Sequence, residues 1–168
     1  IYSAPGKAVK EAYDSSGVVT NDRGITVWLK GNRVSRNQIM AIKEESVTDQ
    51  KNSLTVCLDN ILRHAGITRN TEYDLAQGKT AIQILEENMT GVQVLDLSGC
   101  SLDAVLYYVN QDIPVLAILE DGEAVLVTGF NEFNVVIMEP STGKLYKKGM
   151  NDATAWFAEN GNHFITYM

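Results

Sequence analysis

The chain has 168 residues, of which 45% are apolar, and 14 Lys and Arg against 21 Asp and Glu give it a formal charge of −7. This length suits one domain with a real core, and the apolar fraction is too high for a disordered chain. The acidic balance argues against a nucleic-acid partner, and two cysteines with two histidines are too few for a disulfide scaffold, a zinc ribbon or a His-rich metal centre.

The first part of the chain, residues 1–43, predicts an accessory helix plus a β-hairpin. Pro5 can open a short helix, and Gly17 can end it. Residues 17–20 and 25–29 are predicted strands, and the polar residues between them signal a hairpin turn. We therefore expect a small N-terminal module that packs beside a larger domain.

The larger domain is predicted at residues 44–168. A helix from Ser53 to Gly66 carries apolar residues at a 3.6-residue period, with Ser53 at its N-cap. Downstream, nearly continuous apolar strands predict an antiparallel sheet with both faces covered, and helices packed on such a sheet make an α+β fold. The other predicted helices lie at 80–88, after Ser101 and from 151 onward, and the predicted strands at 92–95, 114–119, 124–130, 135–138, 144–146 and 164–167.

The cysteines are the first candidates for nucleophilic catalysis, because a thiol needs a base within reach. Cys57 lies on the apolar stripe of its predicted helix, which favours a packed core cysteine. His64 is two helical turns away, roughly 10 Å along the axis, which is too far for proton transfer. Cys100 precedes a helix whose dipole can lower a thiol pKa. Structural thiols and a nucleophile that works with His163 both remain open at this point.

The sequence lacks the usual patterns for metals and cofactors. It contains no CxxC, no HExxH, no Asp-rich calcium loop, no P-loop and no dinucleotide fingerprint, so we expect no cofactor and no metal. The longest apolar run, Ile113 to Leu119, is far below the ~18 residues of a membrane helix, so no direct membrane insertion is expected. The chain begins with Ile1 rather than Met, which predicts a processed product or a piece of a longer protein.

Four segments of the larger domain resemble the C39 peptidases, which are bacteriocin-processing enzymes with a papain-like fold, and their C39-like relatives. Residues 52–66 resemble the first helix of that family, which a D-C-G triplet opens and an ILRYHG-like ending closes. Residues 112–115 resemble its G-x-PV strand start, and residues 122–130 resemble its GHWVVVTGY strand. Residues 139–143 resemble the DP..G turn that follows. The resemblance spans about Val47 to Met168 and implies a papain-like fold.

This resemblance also implies which positions would carry catalysis, and the sequence departs from the family at each of them. The nucleophilic Cys of the family falls on Ser53, its general-base His on Glu123 and its orienting Asp on Glu139. Val47 stands near the position of the oxyanion Gln, and Gln50 is a possible remnant of it three residues before Ser53.

These replacements are chemically unfavourable for peptide hydrolysis. A helix N-terminus helps to ionise a thiol, but a serine hydroxyl is far more basic and needs a base poised near the working pH. A glutamate carboxyl ordinarily titrates near ~4.3 and is a poor base at neutral pH. The resemblance therefore implies a degenerate, non-catalytic pseudo-peptidase.

The expected function is to bind a peptide or protein segment, or to mediate assembly with other domains of a larger bacterial protein. Two alternatives remain, an active cysteine peptidase that uses Cys57 or Cys100 with His163, and a structural spacer domain. The habits of the family favour an extracytoplasmic or membrane-tethered location.

Overall fold

A computed structural model describes residues 2–15, 17–30 and 42–168. The N-terminal part forms helix α1 (Pro5–Ser15) and the hairpin strands β1 (Val18–Thr20) and β2 (Thr26–Leu29). Because residues 31–41 fall outside the described ranges, the predicted boundary between residues 43 and 44 stays a prediction.

In the rest of the described chain three helices come first, and six strands with two further helices among them follow. The helices are α2 (Ser53–His64), α3 (Glu72–Ala76), α4 (Ala81–Asn88), α5 (Leu102–Asn110) and α6 (Met150–Glu159). The strands are β3 (Val94–Asp96), β4 (Val115–Ile118), β5 (Ala124–Phe130), β6 (Asn134–Glu139), β7 (Lys144–Gly149) and β8 (Phe164–Tyr167).

Strands β3 to β8 form one antiparallel sheet in the order β3-β8-β4-β5-β6-β7. Every residue of β5 is buried, so both faces of the sheet are covered at its centre. Helices α2 and α5 both contact β5, while α2 also contacts α4 and α5 also contacts α6. The predicted α+β class, with helices packed on an antiparallel sheet, is confirmed.

The structure corrects one local expectation, the cap of α2, and adds two features that the sequence analysis did not predict. The N-cap of α2 is Asn52, whose Oδ1 accepts a hydrogen bond from Thr55 N at 2.9 Å, and Ser53 is the first helical residue. Helix α3 was not predicted, because five residues show too little periodicity. Strand β8 lies inside the sheet, between β3 and β4, although it is last in sequence.

The N-terminal elements pack on helix α5. Trp28 is 2% exposed and its indole N–H donates to Ala104 O at 3.0 Å, while Tyr108 OH donates to Val27 O at 2.7 Å. Helix α1 also comes close to the end of β3, since a Cβ on Gly6 would lie 2.9 Å from Asp96 O. The buried apolar residues of α1, β1 and β2 therefore join the same hydrophobic cluster as the sheet.

Candidate functional site

The start of helix α2 is tied to the start of strand β5 by the side chain of Ser53. This residue is 2% exposed, and its Oγ accepts a hydrogen bond from the backbone N–H of Ala124 at 2.8 Å. Asn52 caps the helix beside it. The hydroxyl of Ser53, which the resemblance predicts at the nucleophile position, is thus buried and accepts from a backbone donor.

Glu123 immediately precedes Ala124 and is exposed. Its backbone N–H donates to Asp121 Oδ1 at 2.9 Å, and its carbonyl accepts from Leu119 N at 2.8 Å. Gly122 makes this turn with a φ of 85°, in the left-handed region that favours glycine. The fold therefore brings Ser53 and the backbone of Glu123 to one junction between α2 and β5.

Glu139 is the last residue of β6, which runs antiparallel to β5. The register that pairs Leu126 with Met138 carries Glu139 to the same end of the sheet as the start of β5. Glu139 is half-buried, and its charge adds to burial in raising the pKa of Tyr146. The three matched positions thus share one end of the sheet, with Glu139 on the strand next to that of Ala124.

The segment before α2 is held beside this end of the sheet. Val47 N donates to Pro140 O at 3.0 Å, and Glu44 Oε1 accepts from Leu145 N at 3.1 Å. Gln50, the predicted oxyanion remnant, is exposed and lies in a turn where its backbone N–H donates to Thr48 Oγ1 at 3.2 Å.

Both cysteines are buried free thiols. Burial, followed by the charges of Glu123 and Glu45, raises the pKa of Cys57 well above its ordinary value. Burial likewise raises the pKa of Cys100 to about 11, and its Sγ donates to Gly6 O at 3.3 Å. Raised pKa values suppress the thiolate, which is the nucleophilic form.

The histidines occupy other environments. His64 Nε2 lies 2.7 Å from the carbonyl oxygen of Asp112, in the connection between α5 and β4. His163 is half-buried just before β8, and its backbone carbonyl accepts from Ile118 N at 3.0 Å. The thiol environments therefore do not favour a nucleophile working with His163.

A buried carboxylate that sequence reasoning missed holds the ends of α2 in place. Asp59 is 2% exposed and accepts from Thr71 N at 2.9 Å, from Thr71 Oγ1 at 2.8 Å and from Lys51 Nζ at 3.1 Å. Its signal in the sequence is a charged residue inside an otherwise apolar helical segment. These contacts stabilise the chain on both sides of α2, which fixes the position of Ser53.

Two cavities lie elsewhere on the described surface. One of about 340 Å³ is lined by Glu132, Phe133, Gly149, Met150, Asn151 and Asp152. The other, of about 140 Å³, lies between α1 and the start of α5 and includes Lys10 and Asn162. Neither contains Ser53, Glu123 or Glu139.

Residues 2–15, 17–30 and 42–168 contain neither a metal-binding cluster nor a membrane-spanning helix. No group of three or more His, Cys, Asp and Glu side chains in these ranges is arranged to hold a metal ion. No helix in them has both the length and the apolarity to cross a membrane.

Comparison with known proteins gives a fold relationship. No protein-family model and no curated protein matches the chain. A crystal structure from Bacillus anthracis, described as a "putative C39-like peptidase", superposes with a TM-score of 0.63 at 16% identity, over 82% of this chain and 98% of that one. The chain therefore has a mixed helix and antiparallel-sheet fold similar to that of a protein described as C39-like.

Proposed function

We propose that this chain is a non-catalytic C39-like domain of papain-like architecture that binds an extended peptide or protein segment. The observation that carries the proposal is the state of Ser53, whose buried hydroxyl accepts from Ala124 N at the place where the matched family residue would be a thiol. A nucleophile must be reachable by substrate and by a base. Ser53 is 2% exposed, and the residue matched to the family base is a glutamate.

The chemistry around Ser53 supports the absence of hydrolysis. A serine hydroxyl needs a base to remove its proton, and Glu123 and Glu139 supply carboxylates where an imidazole and an aspartate would be required. The free thiols offer no substitute, since burial raises the pKa of both Cys57 and Cys100. No described contact favours the active-peptidase alternative over the non-catalytic one.

The binding half of the proposal rests on the fold. The cleft of the family that the chain resembles accepts an extended peptide, and a domain without a nucleophile can still bind one by strand-like pairing and side-chain pockets. The partner is a peptide or protein segment, which includes other domains of a longer parent chain. A structural spacer would bind no such segment.

A mixed pool of unmodified peptides, incubated with the protein and analysed by mass spectrometry, tests the catalytic half. We expect the peptide composition to stay unchanged over many hours. Cleavage that both Ser53→Ala and the exposed-site variant Glu123→Gln abolish would contradict the proposal, because it would place hydrolysis at the matched positions. Cleavage lost instead in Cys57→Ser or Cys100→Ser would favour the cysteine-peptidase alternative.

A further inference from the structure

The connection between α6 and β8 contains a pair of residues that can react with each other. Asn160 is followed by Gly161, and this is the one Asn-Gly pair in the sequence. The backbone nitrogen that follows an asparagine can attack the amide carbon of its side chain. A glycine at that position favours the attack, because it carries no Cβ to hinder it. The pair is therefore a candidate site of spontaneous deamidation.

In the fold, both polar atoms of the Asn160 side chain are hydrogen-bonded. Its Oδ1 accepts from Glu120 N at 3.1 Å, and its Nδ2 donates to Trp156 O at 2.9 Å. The half-buried side chain thus links the end of α6 to the turn between β4 and β5. The amide group that would react is held between two backbone groups, and any rotation of it breaks these bonds.

The nitrogen that would attack is held as well. Gly161 N donates to Ala158 O at 3.0 Å, and Gly161 has a φ of 86°, in the left-handed region that favours glycine. On the next residue, the carbonyl of Asn162 accepts from Gly99 N at 2.9 Å. These bonds fix the backbone that follows Asn160. The nitrogen therefore approaches the amide carbon only when the turn opens locally.

We propose that Asn160 is a deamidation site which the folded chain protects and which reacts when the end of α6 opens. In the reaction a bond forms between Gly161 N and Asn160 Cγ, and the bond between Cγ and Nδ2 breaks. The proton of Gly161 N leaves with Nδ2 as ammonia. The product is a cyclic succinimide, and water then opens this ring to aspartate or isoaspartate.

The reaction changes the contacts at the end of α6. An aspartate at position 160 can still accept from Glu120 N, but it places an oxygen instead of a donor against Trp156 O. Its negative charge lies at the C-terminus of α6, where the helix dipole favours positive charge. An isoaspartate also adds one carbon to the backbone. Either product therefore weakens the attachment of α6 to the turn between β4 and β5.

The experiment compares the reaction in the folded and unfolded full chain. Samples are incubated at mildly alkaline pH with and without guanidinium chloride, and peptide mapping by mass spectrometry measures aspartate and isoaspartate at position 160. We expect the folded chain to react at least about tenfold more slowly, since cyclisation requires the turn to open. In the unfolded chain Asn160 should react faster than Asn52, which precedes a serine, and Gly161→Ala should slow its reaction.

The variant Asn160→Asp tests the consequence of the reaction. It should lower the urea midpoint of unfolding, because it loses the donor to Trp156 O and adds a charge that the helix dipole disfavours. Asn151→Asp is the matched control, since it makes the same change at an exposed position in the first turn of α6, and it should leave the midpoint nearly unchanged. Equal rates in the folded and unfolded chain, no product at position 160 in the unfolded chain, or equal midpoints of the two variants would overturn the proposal.

Discussion

Ser53 shows how one buried hydroxyl can tie the start of a helix to a neighbouring strand. Its Oγ accepts from Ala124 N inside the protein, so Ser53→Ala leaves a buried N–H without an acceptor. We expect a loss of about 1–3 kcal/mol in the free energy of unfolding, measured by urea denaturation. Ser141→Ala, in an exposed turn, should change it by less than about 0.5 kcal/mol. Equal free energies of unfolding for the two variants would show that the Ser53 hydroxyl does not stabilise the fold.

The raised pKa of Cys100 predicts how the free energy of unfolding depends on pH. The folded-state pKa of Cys100 is about 11, above the ordinary value of ~8.5, so its contribution is complete below ~8.5 and is lost as pH rises toward 11. Urea unfolding at pH 8, 9, 10 and 11 should show a steady fall. Cys100→Ser keeps a donor for Gly6 O but does not titrate, so its fall should be shallower. Parallel curves would contradict this assignment.

The apolar periodicity predicted the position of α2 correctly, but the predicted N-cap, Ser53, was wrong. Asn52 and Ser53 are both good N-cap residues, and neighbouring residues cannot rank them. The choice depends on Ala124, which is 71 positions away and takes the Ser53 hydroxyl as its acceptor. The matched positions Ser53, Glu123 and Glu139 came from the family resemblance, and their chemical roles remain predictions.

At the scale of elements, periodicity predicted long segments well and short or inserted ones poorly. Turn residues bound the apolar runs of β4, β5 and β6, and these boundaries allowed the positions of the strands to be predicted. Helix α3 depends on the ion pair of Arg69 with buried Asp74, at 3.0 Å, rather than on an apolar stripe. The place of β8 between β3 and β4 depends on long-range pairing, which period-2 patterns do not encode.

The contact between the hairpin and α5 predicts that the hairpin opens more often when this contact is lost. Tyr108 OH, which is buried, donates to Val27 O at 2.7 Å. Tyr108→Phe removes this donor and leaves the carbonyl of Val27 without it, at a cost of about 1–2 kcal/mol. Hydrogen exchange should then speed up in β1 and β2 but not in β6. Tyr73→Phe, at a 68% exposed side chain, is the control and should leave exchange unchanged. Uniform acceleration across the sheet would contradict a local role.

The whole molecule has one hydrophobic cluster, to which both the N-terminal elements and the sheet contribute. Sequence reasoning placed a boundary at residues 43 and 44, because the hairpin signals precede a polar segment. The contacts of Trp28 with Ala104 and of Tyr108 with Val27 cross that boundary. The N-terminal elements therefore pack on α5, as the sequence analysis expected of an accessory module, and the boundary at residues 43 and 44 stays a prediction.

Removing residues 1–43 tests how far the larger part folds without them. The fragment 44–168 loses Trp28, which is 2% exposed, and leaves the buried hydroxyl of Tyr108 without its acceptor. Losing one buried Trp side chain already costs about 3–5 kcal/mol, so the urea midpoint of the fragment should lie well below that of the full chain. Trp28→Ala in the full chain is the matched comparison and should fall between the two. A fragment as stable as the full chain would instead support an independent domain that begins at residue 44.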